Sequence, residues 1–245
     1  MPPVRTIRSM VTLGVAIAVA LVCVRLGIWQ TRRLGERRAH NARLWARMAD
    51  PVIGLAEVGT DTAGTRYRRV RVEGPARYDR EVAWGPRMRN GSPGVHLLTP
   101  VPYRGDTMVL VDRGWAYSPD ARTIDFGRWR ERDTLRVQGY VEGWVHPCAP
   151  GVTGGPPPRC ADSATRVFYK LDRAVAERLV GLPLAPFVVM QTSDSALRAD
   201  SVPVRVETPL LDEGPHRGYA FQWFGFALIS LVGGVALARR ERRDG

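Results

Sequence analysis

Lysine, cysteine and histidine are all scarce in this chain of 245 residues. Lys170 is the only lysine among 36 basic residues, and there are three cysteines and four histidines. The cysteines form no CxxC pair, which excludes a zinc ribbon, a cysteine-ligated cluster, a thioredoxin-type motif and a CxxCH haem attachment. No HxxxH or HxH pair occurs either, so a zinc site has little support.

Motifs of the common catalytic classes are also missing. The sequence has no GxSxG nucleophile elbow, no GxGxxG fingerprint after a strand and no P-loop. Asp125, Glu131 and Asp133 lie close together, but carboxylates in so arginine-rich a segment are expected to be solvated ion-pair partners. These absences favour a protein that is not an enzyme, without excluding one, because catalytic groups converge in space and not in sequence.

Two long runs without a charged residue are present, at 11–24 and 218–238. The second run is long enough to cross about 30 Å of hydrocarbon. The first reaches that length when it is extended over 10–29, which includes Arg25 about one turn from the membrane surface. We therefore predict transmembrane helix 1 at 10–29 and, after a juxtamembrane segment, transmembrane helix 2 within 213–238.

Each run has an alternative interpretation. The first could be a cleaved signal peptide, but its best small-x-small site, Ala18-Val19-Ala20, lies inside the apolar run and not after it. The second could be a buried core helix, but four arginines follow it at once, as a membrane stop requires. These are Arg239, Arg240, Arg242 and Arg243. Two uncleaved spans are the better interpretation.

The net charge of +12 is concentrated beside the predicted spans. Residues 1–49 carry about +8, whereas the 50–212 segment is nearly balanced, so a basic groove for nucleic acid is a poor explanation and anionic lipid head groups are a better one. Charge counting alone leaves the topology open, since arginines flank both sides. Long loops translocate largely regardless of charge, so we expect tails 1–9 and 239–245 in the cytoplasm and the middle segment outside.

The middle segment predicts an α+β domain. A helical extension covers 30–50 and ends at Asp50-Pro51, because the residue before proline leaves the helical region. Within 51–212, period-two patterns predict half-buried antiparallel strands at 69–73, 81–84, 95–101, 107–112, 136–142, 166–169, 186–192 and 204–206. One helix interrupts them, with Asp172 as its N-cap and Gly181 as its stop. The fold class is thus α+β, a β-rich antiparallel extracytoplasmic domain between two terminal transmembrane helices.

Cys148 and Cys160 flank a Gly/Pro-rich loop and could form a disulfide outside the cytoplasm. Two unrelated free thiols are an equally weighted alternative.

His216 lies two residues before the second apolar run, and Tyr219 and Trp223 follow it. An imidazole at this boundary can ligate the iron of a lipophilic cofactor such as haem, or simply belong to an interfacial aromatic belt.

Five motifs, in order, resemble those of the Surfeit locus protein 1 family. They are Leu26-Gly27-Ile28-Trp29-Gln30 with Arg33, Tyr67-Arg68-Arg69-Val70 with Gly74, Pro93-Gly94 to Thr99-Pro100, Val109 to Arg113-Gly114-Trp115, and His216-Arg217-Gly218-Tyr219-Ala220-Phe221-Gln222-Trp223-Phe224. Asp112 replaces the asparagine usual in the fourth motif. The motifs span nearly the whole chain, but the loop from Cys148 to Cys160 looks like an insertion peculiar to this sequence, and no family function is transferred to it.

The resemblance implies a membrane-bound assembly factor for cytochrome c oxidase of the aa3 type, one that helps mature the haem-bearing subunit. Haem a would be a transient ligand, and the oxidase subunit, haem a synthesis enzymes and membrane lipid would be the partners. Because the first span begins near residue 10, we expect a bacterial protein of the cytoplasmic (inner) membrane. His216 would ligate haem iron, Trp29 and Trp223 would form an aromatic platform, and Arg32, Arg33 or Arg217 would pair with the propionates.

Two further possibilities stay open. The spans and the domain could clamp a half-built oxidase subunit without haem, with Arg113 and Trp115 supporting a strand end or a partner surface. Alternatively, the chain could be a membrane-tethered extracytoplasmic enzyme or ligand sensor. An enzyme would need polar residues clustered around a cleft, and a sensor would need a larger cytoplasmic domain than the short tails.

Overall fold

The computed structural model describes residues 4–144, 148, 159–193, 203–209 and 211–243, with side chains from residue 7 onward. His146, the loop interior at 149–158 and the last two residues of the predicted C-terminal tail lie outside this part. The chain divides into two compact units. We call them the helical unit (Met1–Arg43 and Leu210–Gly245) and the sheet unit (Leu44–Pro209).

Four α-helices lie in the described residues: α1 (Val4–Ala49), α2 (Thr62–Thr65), α3 (Arg173–Val180) and α4 (His216–Arg243). The predicted first span and the predicted extension are therefore one continuous helix, which ends just before Asp50-Pro51 as expected. Helices α1 and α4 are both long and apolar enough to cross a membrane. Only 22% and 11% of their most apolar segments are buried, which argues against core helices of a soluble domain.

Small residues form the contact between α1 and α4. Ala20, Cys23 and Ala227 make a buried cluster against which Trp223 packs. Ser230 Oγ donates a hydrogen bond to the Ala16 carbonyl at 3.0 Å. Small residues let the two backbones approach closely. In a membrane the surrounding lipid is as apolar as the side chains, so helices associate through such close packing and not through the hydrophobic effect.

The sheet unit contains one nine-stranded sheet. Its strands are β1 (Ile53–Gly54), β2 (Arg69–Pro75), β3 (Val82–Arg89), β4 (Ser92–Arg104), β5 (Thr107–Tyr117), β6 (Thr134–Gly143), β7 (Ala161–Asp162), β8 (Val167–Phe168) and β9 (Leu184–Gln191). They lie in the order β1-β2-β6-β9-β5-β4-β3-β8-β7. Of the eight predicted strands, seven are present, and the segment 204–206 forms only isolated bridges to Trp115 and Thr192.

The sheet is mixed, whereas the sequence predicts an antiparallel one. The pairs β1–β2, β3–β8 and β5–β9 are parallel. The reason is that alternation along a strand indicates which face it buries and carries no information about the direction of its neighbours. Helix α3 lies between β8 and β9 in the chain, and β9 then pairs with both β5 and β6.

The core follows the predicted alternation in β2 but not in β5. Val70 and Val72 of β2 are fully buried, whereas Arg69 and Arg71 beside them are exposed. In β5, Val109, Leu110 and Val111 are all fully buried, so this central strand is covered on both faces and is not half-buried as predicted. These valines join a cluster that also includes Phe187 of β9. The predicted α3 is found with both its signals: the Asp172 carboxylate accepts the Val175 N–H, and Gly181 ends the helix in a left-handed conformation.

Candidate functional site

The helical unit brings His216 and Gln30 together. His216 is the first residue of α4, and its Nδ1 lies 2.8 Å from Gln30 Oε1. Gln30 is 8% exposed on α1. An amide oxygen accepts, so Nδ1 is the donor in this bond and Nε2 is the ring nitrogen left for another partner. A histidine held through Nδ1 in this way can ligate a metal through Nε2.

The segment before α4 is tied to α1 by a row of polar contacts. Asn41 Nδ2 donates to the carbonyls of Leu211 and Asp212 at 3.1 and 2.8 Å. Arg38 forms a bidentate ion pair with Glu213, at 2.7 and 2.8 Å. The hydrogen bond and charge of Arg38 hold the pKa of the Glu213 carboxyl below its usual range. These contacts fix the register of the segment against the helix and so position His216.

Gly214 completes this approach to α4. Its φ of +69° lies in the left-handed region that favours glycine. A Cβ at this position would stand 3.6 Å from His216 Nε2. The glycine therefore provides the turn and leaves the coordinating edge of the imidazole free of a side chain.

His216 lines an open cleft with a volume of about 540 Å³. Arg33, Arg37 and His40 line the same cleft, along with Glu36, Gly214 and Pro215. Arg33 pairs with Glu36 at 2.8 Å, and Arg37 lies 3.9 Å from Asp212. The cleft therefore combines a ligand-competent imidazole with exposed guanidinium groups, which suits a metal-bearing ligand with acidic substituents.

The other aromatic residues proposed for this site lie on different surfaces of the helical unit. Trp29 is 54% exposed, whereas Trp223 packs on the Ala20–Cys23–Ala227 cluster. Among the described residues no ring contact joins the two indoles, so they form no shared platform here. Tyr219 and Gln222 are exposed on α4. Arg33 reaches the cleft, and Arg32 and Arg217 are not among its lining residues.

Arg113 belongs to a different place, the interior of the sheet unit. It is fully buried and pairs with Glu81 at 2.5 Å and with Glu131 at 2.7 Å. It also donates to the Trp129 carbonyl at 2.7 Å and to Thr99 Oγ1 at 2.8 Å. Arg205 joins the group through Glu131 at 2.5 Å. A guanidinium enclosed in this way ties four segments together and leaves no surface for a partner.

Glu131 corrects the expectation of a solvated carboxylate. Its side chain is only 15% exposed. Although burial raises its pKa, the hydrogen bonds and charges of Arg205 and Arg113 bring the pKa below the usual range. Asp133, by contrast, is 84% exposed in its pair with Arg130, as expected. The sequence gives no sign of this difference, because Arg113 and Arg205 come from distant segments.

Gly114 and Trp115 hold the neighbouring segment. Gly114 has φ +117°, and a Cβ there would collide with the backbone of Val204. Trp115 exchanges backbone hydrogen bonds with Val204 at 2.8 and 2.7 Å, and its Nε1 donates to the Arg87 carbonyl at 3.1 Å. Both residues therefore have local structural contacts at the end of β5.

Two pairings complete the sheet unit. The His96 ring lies 2.7 Å from Asp112 Oδ2, and Asp112 is fully buried. Sequence reasoning missed this pair, since its partners lie on adjacent strands and share no motif.

Cys148 and Cys160 are joined by a disulfide, with Cα atoms 5.9 Å apart. Within the described residues, no group of three or more His, Cys, Asp or Glu side chains could hold a metal ion.

The architecture defines a class of protein in which one α+β domain lies, in chain order, between two terminal helices that are long and apolar enough to cross a membrane. A model described as the SURF1 family matches residues 17–228, and the chain belongs to that family. The matched range includes all five motifs in full, from Leu26 to Phe224.

Named relatives agree with this membership. A "SURF1-like protein" of Rickettsia bellii (strain RML369-C) is 25% identical over 86% of this chain and 84% of its own length. Another from Rickettsia felis (strain ATCC VR-1525 / URRWXCal2) is 27% identical over 90% and 93%. The "Cytochrome oxidase assembly protein SHY1" of Saccharomyces cerevisiae (strain ATCC 204508 / S288c) is 30% identical over 54% of this chain and 36% of the yeast protein.

Proposed function

We propose that the protein is a membrane-bound assembly factor for cytochrome c oxidase of the aa3 type. It assists the insertion of haem a into the haem-bearing subunit or stabilises that subunit. Membership of the SURF1 family and the name of the yeast relative support a role in oxidase assembly. The two candidate membrane-spanning helices support a place beside a membrane-embedded client.

The observation that carries the haem proposal is the His216–Gln30 hydrogen bond. It engages Nδ1 and leaves Nε2 for a ligand in a cleft that Arg33 and Arg37 also line. Metal-ligating histidines characteristically donate the other ring N–H to an oriented acceptor, which fixes the ring and raises its basicity. The donor set therefore fits haem iron, with guanidinium groups for the propionates.

Haem a is cargo in this proposal. Its iron accepts an imidazole, its farnesyl tail favours lipid, and its propionates favour water and cations. His216 would hold the iron, Gln30 would orient the ring, and Arg33 and Arg37 would pair with the propionates. The site lies where both apolar helix segments end, and an amphipathic cargo is best held at such a boundary.

The proposed function also implies a cellular location for the protein. We infer that α1 and α4 cross a bacterial cytoplasmic membrane, with both tails in the cytoplasm and the sheet unit outside. Synthesis enzymes for haem a and the nascent oxidase subunit would be the partners. Arginines flank both ends of the apolar runs, so this orientation rests on the tendency of long loops to translocate largely regardless of charge.

Haem titration of the purified full-length protein in detergent tests the proposal. We expect His216→Ala to weaken haem a binding at least about tenfold, because it removes an iron ligand. His40→Ala is the matched control, since it removes an imidazole from the same cleft and should retain most of the affinity. If the His216→Ala variant keeps full haem occupancy, the ligand assignment is wrong.

A further inference from the structure

Arg25 lies inside the apolar part of α1. The His216–Gln30 bond places the start of α4 at the level of Gln30, and the uncharged runs of both helices extend from there in the same direction. Arg25 is five residues further in, or about 7.5 Å along the helix axis. An arginine inside hydrocarbon is costly when it is unpaired, so an anionic partner is favoured.

Arg25 points away from α4. Cys23, Gly27 and Gln30 form the buried face of α1, and two residues of an α-helix advance its side chains by about 200°. Arg25 is therefore opposite Cys23, and Arg32, seven residues further on, shares its side. Trp29 lies between them and is 54% exposed. We call Arg25, Trp29 and Arg32 the arginine stripe.

No carboxylate in the described residues pairs with the stripe. Glu36 is the only acidic residue of α1, and it pairs with Arg33 at 2.8 Å. Arg25 and Arg32 also line a shallow groove of about 640 Å³ together with Leu21, Val22 and Ile28. Two cations thus border an apolar surface whose side chains Leu21, Val22 and Ile28 are all exposed in the described part of the helical unit.

We propose that the arginine stripe binds the phosphate of an anionic phospholipid, with an acyl chain along Leu21, Val22 and Ile28. Long arginine stems would let the guanidinium group of Arg25 reach outward and that of Arg32 reach inward, to one head-group level. Guanidinium groups bind phosphate through paired hydrogen bonds. Trp29, midway between them, is the residue type that occupies the head-group level.

Charge complementarity favours a lipid over a partner helix. The two Cα atoms are separated by about 10.5 Å along the axis, and a single acidic side chain of a neighbouring helix would pair with one guanidinium. A head-group layer offers phosphates at one depth, where both long side chains converge. The stripe also lies on the side of α1 opposite the His216 bond, so the lipid site is separate from the proposed haem site.

Native mass spectrometry of the full-length protein in detergent tests this proposal, with phosphatidylglycerol and phosphatidylcholine as the probes. Each arginine near a membrane surface contributes about a fivefold preference for anionic lipid. We therefore expect the parent to prefer phosphatidylglycerol about 25-fold and the Arg25→Gln/Arg32→Gln variant to show nearly equal affinities. Arg43→Gln is the matched control, because Arg43 is exposed on the same side of α1, eleven residues beyond Arg32.

Two further variants guard against a failure to fold. Arg32→Gln alone leaves the apolar segment unchanged and should lose about fivefold of the preference. The double lysine variant keeps both charges and should keep most of it. An unchanged preference in Arg32→Gln, or in a folded double glutamine variant, would overturn the lipid assignment and leave this face to a helix that carries an acidic residue.

Discussion

At the scale of single residues, the hydrogen-bond and ion-pair partners of His216 and Arg113 indicate which role each residue has. Both stand in motifs that the family resemblance singles out, and the sequence alone gives them similar prominence. The structure gives His216 one oriented acceptor and an open cleft, and it gives Arg113 two carboxylates and complete burial. The first arrangement suits a ligand site, and the second stabilises a fold.

Removing the acceptor of His216 should weaken haem binding without removing the ligand. We expect Gln30→Leu to lower the affinity for haem a about tenfold, because oriented hydrogen-bond partners of ligands typically contribute that much. Gln30→Glu keeps an acceptor and should bind nearly as well as the parent. Titration of the purified protein checks both, and equal affinities for the leucine and glutamate variants would contradict the role of Gln30.

Glu131 should contribute stability that depends on pH. Its pKa is lower in the folded protein than the value near 4.3 of an unfolded chain, so its contribution is present above that value and is lost as the pH falls. We expect Glu131→Gln to lower the free energy of unfolding by about 3 kcal/mol at neutral pH, since Arg113 and Arg205 lose a buried partner.

Denaturant unfolding of the full-length protein in detergent measures this effect. The difference between the parent and Glu131→Gln should shrink as the pH falls below about 4.3, first because the unfolded chain binds a proton and then because the folded carboxyl group does. Asp133→Asn is the control, because its exposed pair with Arg130 should contribute less than about 1 kcal/mol. A difference that is constant over this pH range would show that the charge of Glu131 is not responsible.

At the scale of elements, local sequence signals predicted the helix ends, whereas the pairing of the strands could not be predicted. Asp172 and Gly181 mark both ends of α3, and Asp50-Pro51 marks the end of α1, because caps and proline act on their immediate neighbours. The parallel β5–β9 pair and the short β1 and β7 could not be predicted, since they depend on contacts between distant segments. The Gln30–His216 bond is equally non-local, although both residues stand in recognised motifs.

Neighbouring glycines in α4 give an internal comparison for the packing of the helical unit. A Cβ at Gly234 would collide with the side chain of Ala16, whereas a Cβ at Gly233 would meet nothing within 4 Å. We expect Gly234→Ala to destabilise the helix pair by about 1–3 kcal/mol, as overpacking does. Gly233→Ala should be neutral or slightly stabilising, because alanine is the better helix former.

Thermal unfolding of the full-length protein in a mild detergent measures both variants. Ala16→Gly should restore stability when it is combined with Gly234→Ala, because it removes the colliding methyl group. If Gly233→Ala and Gly234→Ala are destabilised equally, the close approach of α1 and α4 at this point is incorrect.

At the scale of the whole molecule, the sequence predicted two apolar helices around an α+β domain, and both are present. The boundary between the units falls at residues 43–44 and 209–210, and the limits predicted for the middle segment, 51–212, stay a prediction. Hydrophobic runs, charge balance and period-two alternation are properties of whole segments, so they can be recognised in the sequence without knowledge of any tertiary contact. Which motif residues share a site depends on the three-dimensional contacts.

The central claim, a role in assembling an aa3-type oxidase, is tested most directly by reduced-minus-oxidised optical spectra of membranes. A strain lacking this gene would be compared with its parent and with the strain complemented by the intact gene. We predict loss of the haem a band with the b-type and c-type bands retained, and recovery on complementation. An unchanged haem a band together with normal oxidase activity would contradict the account.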